Sequence, residues 1–511
     1  MFCSLRFIVL LVLGLSAIAR ADVRLHALFT DHGVLQQGKR LPVWGWAENG
    51  ERVAVEFAGQ RAVTIAQNGR WRVWLTPLKA SAEPRMMRVT GNNALEVQDL
   101  LVGEVWLASG QSNMELSMKS SFNSEADIES ATQPNLRLFT VPRLKAQAPV
   151  ENVKSAWSLC SPDAVRGFTA VGYYFGRDLQ TARGVPVGII HTSWGGSPAE
   201  VWLSDANLKA DPEFCRDILD AYPATYRNWQ RAKKAWEAAK LDAQQKGVAF
   251  TQSQPGLGWK PAELYNGMIA PLLPYGIGGA IWYQGESNAS RAWQYRRLFP
   301  AMIQNWRNDF GQRDFPFLAV QLAPWDRNKK RTLAEITAAP GESNWAELRE
   351  AQNYSTHVLK NVGVAVITDV GDKDDIHPTK KQPVGARLAL LARTIAYGDK
   401  KVVASGPVYR KLTVSGNKAI LTFDHVGRGL TSQGEPITGF SVASEDGKFY
   451  WGEARIENAN RVSVVSSEVA KPVAVRFGWA DYPVLNLSND SGLPASPFRT
   501  DVWPVTTQLR K

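Results

Sequence analysis

The chain has 511 residues, a formal net charge of +11 and nineteen tryptophans, a length that admits roughly three domains of 100–200 residues each. Its basic residues are not gathered into a lysine-rich arm with interleaved aromatics, so nucleic acid is not an expected partner; the charge instead favours acidic glycans or keeps the protein in solution. It contains no H-E-x-x-H, C-x-x-C or P-loop, and no strand followed by G-x-G-x-x-G and a helix, so neither a metal nor a nucleotide cofactor is called for.

Residues 1–21 carry Arg6, an apolar run over 7–18 and the small-x-small site Ala19-Arg20-Ala21 before Asp22, the pattern of a secretory signal peptide. Its removal takes away two arginines and no acid and leaves +9. The apolar run is too short to span a bilayer, no later stretch reaches about 18 apolar residues, and no cysteine stands directly after the cleavage site as a lipid anchor would require. The expected product is exported, periplasmic or extracellular, without membrane insertion. Cys3 leaves with the signal, and Cys160 and Cys215 then form an even pair in an oxidising compartment. A disulfide and two small buried thiols are both open to them.

From 22 to 100, short alternating strands at 52–57, 61–66 and 69–74 are separated by Asn-Gly pairs, which predicts a small antiparallel β-domain. From 101 to 400, apolar strands at 104–108, 187–192, 279–283, 317–322 and 362–368 alternate with helical patterns such as 292–309 and 379–395. That alternation predicts an α/β domain with a mostly parallel sheet covered on both faces. An insertion at about 203–262 reads as helical over 206–245, with a loop at 250–260 leading back; it is a solvated cap or a lid over the cleft. After 400 the pattern returns to β, with strands at 411–415, 418–423 and 473–478, and predicts a C-terminal β-domain at 401–511.

Four polar blocks follow apolar strands in this middle region: G-Q-S-N-M at 110–114, W-G-G-S at 194–197, Y-Q-G-E-S-N-A at 283–289 and D-D-I-H-P at 374–378. Carboxyl ends of strands are where open α/β sheets place their sites. A serine hydroxyl needs a base to become a nucleophile, and an imidazole with an unperturbed pKa of about 6.5 suits that task. Ser112 is therefore the candidate nucleophile and His377 the candidate base. Of the other five histidines, His26 and His32 fall in the N-terminal β-region, His425 in the C-terminal one and His357 at a helix end, all read as structural. His191 ends a strand near the W-G-G block and reads as a core histidine.

In order and wording these blocks resemble the SGNH hydrolase superfamily and, within it, the sialate O-acetylesterase family; the similarity runs from about Val23 to the C-terminus. The resemblance implies a three-layer αβα sandwich, no cofactor, and hydrolysis of acetyl esters on sugars through an acetyl-serine. O-acetylated sialic acids are the first substrate it implies, with acetylated xylan or xyloglucan as the alternative. The superfamily spacing D-x-x-H selects Asp374 as the third member of the triad, whereas the acid of D-I-H-P in the sialate esterases matches Asp375. Asp374 is preferred, and Asp375 is assigned to capping the helix expected near Thr379. Oxyanion and substrate contacts fall to the Ser112 turn with Gln111, to the backbone N–H of Gly195 or Gly196, where no Cβ bars close approach, and to a side-chain amide, Gln284 or Asn288. Glu286 is expected to accept a hydrogen bond behind these donors, with contact to a substrate hydroxyl the alternative. Two other classes compete: a carbohydrate-binding protein with an inert core, which the complete set of catalytic residue types disfavours, and a lipid esterase, disfavoured because no long apolar lid is apparent.

Overall fold

The computed structural model describes residues 22–509, so the expected signal peptide lies outside the described residues. The central sheet is built on β1 (Ala94–Gly110), followed by β2 (Gln133–Thr140), β3 (Ser158–Cys160), β4 (Val187–Ser193), β5 (Gly279–Tyr283), β6 (Phe317–Val320) and β7 (Val362–Ala365). Their order across the sheet is β3-β2-β4-β1-β5-β6-β7. All neighbours run parallel except the edge strand β3, which is antiparallel to β2. Every residue of β4, β5 and β6 is buried, which is why these segments show no apolar–polar alternation, with polar residues in β4 only at its carboxyl end.

Helices cover both faces. On one side α4 (Ala292–Phe310) and α5 (Asn344–Val358) pack over Ala280, Trp282 and Phe317; on the other, α2 (Ala170–Arg183) and α6 (Gln382–Ile395) pack over Ile281, Tyr283 and Leu318. Alternate residues of β5 thus point into different cores, as the two-residue strand period requires. The result is the expected three-layer αβα sandwich with additional β-sheets at either end of the chain. The helical pattern of the insertion forms α3 (Tyr222–Gln245), whose only buried residue is Ala243. Among the described residues no helix is long and apolar enough to cross a membrane.

The N-terminal strands are not joined to this sheet by a linker. A boundary at 100/101 falls inside β1, whose 17 residues alternate in burial at first and are buried without interruption from Leu100 to Gly110. Its first part pairs with the antiparallel strand Ser81–Thr90 and, at Leu101–Gly103, with the parallel strand Val34–Gln36. Apolar residues of the N-terminal strands share one core with the α4 and α5 face. After α6 come two four-stranded sheets with a core of their own. Arg349 on α5 reaches this region, donating to the carbonyls of Ala480 at 2.7 Å and Asp481 at 2.9 Å.

The disulfide open to Cys160 and Cys215 is not formed. Cys160 ends β3 in the core under α2 and α6, while Cys215 lies between Phe214 and Ile218, which belong to the core on the opposite face. The sheet separates the two thiols.

Candidate active site

Three polar blocks meet where β4, β1 and β5 end side by side. Gln111 N–H donates to the carbonyl of Tyr283 at 3.0 Å, and Trp194 N–H donates to the carbonyl of Gly110 at 3.2 Å. Gly110 has φ of +141°, and a Cβ there would lie 2.2 Å from the Tyr283 oxygen, so only glycine lets β1 turn this close to β5. The turn delivers Ser112 as the first residue of α1 (Ser112–Glu115). His377 arrives on the loop before α6, and its Nε2 lies 2.8 Å from Ser112 Oγ. That is the distance at which an imidazole takes a hydroxyl proton. Burial holds the imidazole pKa below its usual value; Asp375 acts to raise it, and Lys381 to lower it further.

Geometry reverses the preference between the two acids. Asp375 Oδ1 accepts the backbone N–H of His377 at 2.9 Å and lies 3.6 Å from Nδ1. Asp374 is turned away and paired with Lys373. The cause is Asp372, whose Oδ1 accepts the N–H groups of Asp374 at 2.9 Å and Asp375 at 3.2 Å, a turn that sends Asp374 outward. The cap assigned to Asp375 is also corrected. The helix starts at Gln382, with Lys381 in the cap position and no side-chain cap bond.

The amide donors sort themselves by what they already hold. Gly195 N–H donates to Glu115 Oε2 at 2.9 Å, so of the two glycines offered for the oxyanion it is the one already engaged. Its neighbour Gly196 is exposed and sits at φ +73°. A side-chain amide has two N–H donors. Gln284 directs its Nε2 to Ser197 O at 3.3 Å and Asn288 Oδ1 at 2.6 Å, and its Oε1 accepts from Tyr295 at 3.0 Å. Gln284 is therefore part of the scaffold. Asn288, also buried, donates to Glu200 Oε2 at 2.9 Å and accepts at Oδ1 from the Ala199 N–H at 2.8 Å. Gln111 turns its Oε1 to the N–H groups of Gly285 and Ser287, both at 3.4 Å, and so bridges two blocks.

Glu286 accepts from Asn113 Nδ2 at 2.6 Å, while its Oε2 is buried without a protein partner. Burial raises its pKa. The other side of the serine carries residues that no motif singles out. Arg143 pairs with Glu115 and stands 5.7 Å from the Trp194 ring. Lys145 lies 4.0 Å from the Trp259 ring and 3.1 Å from Glu263. Trp259 comes from the loop that closes the insertion, which brings that segment to the rim of the site. Its pattern, a lone tryptophan between Gly258 and Lys260, carries no signal distinguishing it from the chain's other tryptophans. His191, as expected, is a core residue, with Nε2 2.6 Å from Ser193 Oγ.

A three-layer sandwich with this serine–histidine pair at the carboxyl ends of its strands defines the class, an SGNH-type hydrolase. Residues 102–392 match the model of the family described as carbohydrate esterase, sialic acid-specific acetylesterase. The chain is similar to the sialate O-acetylesterase of Rattus norvegicus, at 30% identity across 89% of this chain and 90% of the relative. Against that of Homo sapiens it shows 29% identity across 89% of this chain and 88% of the relative. It is also similar to the crystal structure of a carbohydrate acetylesterase from Xanthomonas citri, with 38% identity and a TM-score of 0.80 over 94% of this chain and 100% of that one. The chain belongs to the sialic acid-specific acetylesterase family of carbohydrate esterases and is a carboxylic ester hydrolase.

Proposed function

We propose that the protein is an exported sialate O-acetylesterase that works through an acetyl-serine. The observation carrying this reading is the 2.8 Å contact between Ser112 Oγ and His377 Nε2. Ser112 Oγ attacks the acetyl carbonyl carbon while His377 Nε2 takes its proton. The proton then passes to the departing sugar oxygen as the ester C–O bond breaks. Water attacks the acetyl-serine in the reverse sense, giving its proton to His377, and acetate leaves as Ser112 Oγ is reprotonated. The N–H groups of Ser112 and Gly196 and the side-chain amide of Asn288 are assigned to the oxyanion. Asp375, the acid closest to Nδ1, is assigned to orienting the imidazole.

An acidic sugar is favoured by the rim. Arg143 and Lys145 are exposed and stand over Trp194 and Trp259, so a sugar face and a carboxylate could be met together. Neutral hemicellulose acetates are the second reading, supported by the half-buried rings of the same tryptophans and by the likeness to the carbohydrate acetylesterase of Xanthomonas citri. Acetate release from a panel of O-acetylated sialic acids, xylan and xyloglucan tests both. Wild-type protein is expected to prefer the sialic acids, and Ser112→Ala and His377→Ala to lose turnover on every substrate. Near-normal acetate release by Ser112→Ala sinks the mechanism, and a preference for neutral polysaccharide sinks the substrate assignment.

A further inference from the structure

Asn113 follows the nucleophile and is fully buried, yet its side chain links four pieces of the site. Its Nδ2 donates to Glu286 Oε1 at 2.6 Å and to the carbonyl of Ile376 at 3.0 Å, and its Oδ1 accepts from Lys381 Nζ at 2.6 Å. Ile376 immediately precedes His377, and Lys381 lies in the turn leading to α6. One amide thereby grips the histidine loop from both sides and fastens it to the nucleophile turn and to the turn after β5.

Lys381 is itself unusual. Its side chain is fully buried, with Nζ 5.0 Å from the centre of the Tyr283 ring and a neutral amide as its hydrogen-bond partner. An ammonium without a directly bonded carboxylate is costly to bury. Burial brings its pKa down from 10.5 to about 7, with Glu286 and Asp375 acting in the opposite direction. Below neutrality the group is a cation beside the imidazole. The charged groups facing His377 are Asp375 on its own loop and Lys381 from the head of α6; Glu286, from the turn after β5, faces Lys381 across Asn113.

We propose that Asn113 and Lys381 act as a positioning pair, in which Asn113 fixes the His377 loop on Ser112 and Lys381, held by Asn113, keeps the imidazole in its neutral, proton-accepting form. The inference rests on Ser112 and His377 being nucleophile and base. Neither Asn113 nor Lys381 touches the reacting atoms, so both act through His377.

The test uses Asn113→Ala, Lys381→Met and the double variant, with the pH profile of kcat/KM for acetate release as readout. Asn113→Ala is expected to lower kcat about 100-fold at unchanged KM, the loss that accompanies a misplacement of about 1 Å. Lys381→Met retains the bulk of the stem and keeps the test open should Asn113→Ala not fold. Removing its charge makes the imidazolium easier to form, so the acid limb is expected to move to higher pH by several tenths of a unit. The double variant is expected to lose no more than Asn113→Ala alone, since partners acting through each other do not add. An unmoved acid limb in Lys381→Met, or losses that add in the double variant, overturns the pair. Ser112→Ala run alongside separates the two levels: if it retains acetate release, the underlying reading falls and the pair with it.

Discussion

Replacing Asp375 by asparagine isolates one charge beside the base. The substitution leaves an oxygen to accept the His377 N–H that Asp375 now holds at 2.9 Å, so the loop retains its turn while the negative charge 3.6 Å from Nδ1 disappears. Two unit charges at that distance attract by about 1 kcal/mol in water and about 4–5 kcal/mol at an effective dielectric constant of 20. The two side chains are 43% and 59% exposed, so solvent and salt screening draw the value towards the lower bound. We take about 1–2 kcal/mol, which corresponds to a loss of about 5- to 30-fold in kcat/KM. A buried triad acid, by comparison, is worth about 10,000-fold. Asp374→Asn removes only a surface pair with Lys373 and is expected to stay within about twofold of wild type. Initial rates of acetate release from an O-acetylated sugar at fixed salt measure both. A larger loss in Asp374→Asn than in Asp375→Asn refutes the assignment, and a loss near 10,000-fold in Asp375→Asn refutes the argument from exposure.

Because burial holds the His377 pKa down, and only the neutral ring accepts the serine proton, the acid limb of kcat/KM is expected to have its midpoint below about 6.5; a midpoint above 7 contradicts this. His26 and His191 are both pushed to about 4 by burial. The native state therefore binds fewer protons than the unfolded chain between pH 6.5 and 4, and stability falls as the pH drops through that window. Each histidine contributes a loss of about 3 kcal/mol by its lower end, so melting temperatures that stay flat from pH 7 to 4 would count against their burial as neutral rings. Gly110→Ala forces a Cβ against the Tyr283 carbonyl at a left-handed φ and is expected to cost more than about 2 kcal/mol, read as a lower denaturant midpoint; an unchanged midpoint refutes the close approach. Thiol titration of unfolded, unreduced protein beginning at Asp22 should find both Cys160 and Cys215 free, and a count of zero would restore the disulfide.

The elements that were legible in the sequence are those whose pattern is local. β5 at Gly279–Tyr283 and α4 at Ala292–Phe310 coincide with their expected positions to within a residue, because a fully buried parallel strand and an amphipathic helix each write their period into consecutive side chains. The expected start at Thr379 precedes the observed start of α6 at Gln382 by three residues; Pro383, in the first helical turn where a proline is tolerated, is the local mark of the true start. Asp374 and Asp375 could not be told apart by spacing, because the deciding atom is the Asp372 carboxylate curling the loop. Nothing in the local sequence separates Gly195 from Gly196. What engages Gly195 is Glu115, 80 positions earlier in the chain. Lys381 resembled any lysine at a helix end, and no local period marks a side chain that turns inward to meet Asn113.

β1 has a consequence for how the molecule comes apart. Its first residues are stitched to the N-terminal strands and its last present the nucleophile turn, so the two regions share one continuous strand and one core. Regions tied in this way open together and are protected from amide exchange as a unit. Cutting the chain near 101 would not release a smaller esterase; it would remove the first half of the strand that aims Ser112 together with its antiparallel partner, and strip the parallel strand Val34–Gln36 from Leu101–Gly103, leaving those backbone groups facing water. The N-terminal sheets thus set the rigidity of the nucleophile turn from a distance, and slow exchange of the amides along β1 should report on whether that turn is held.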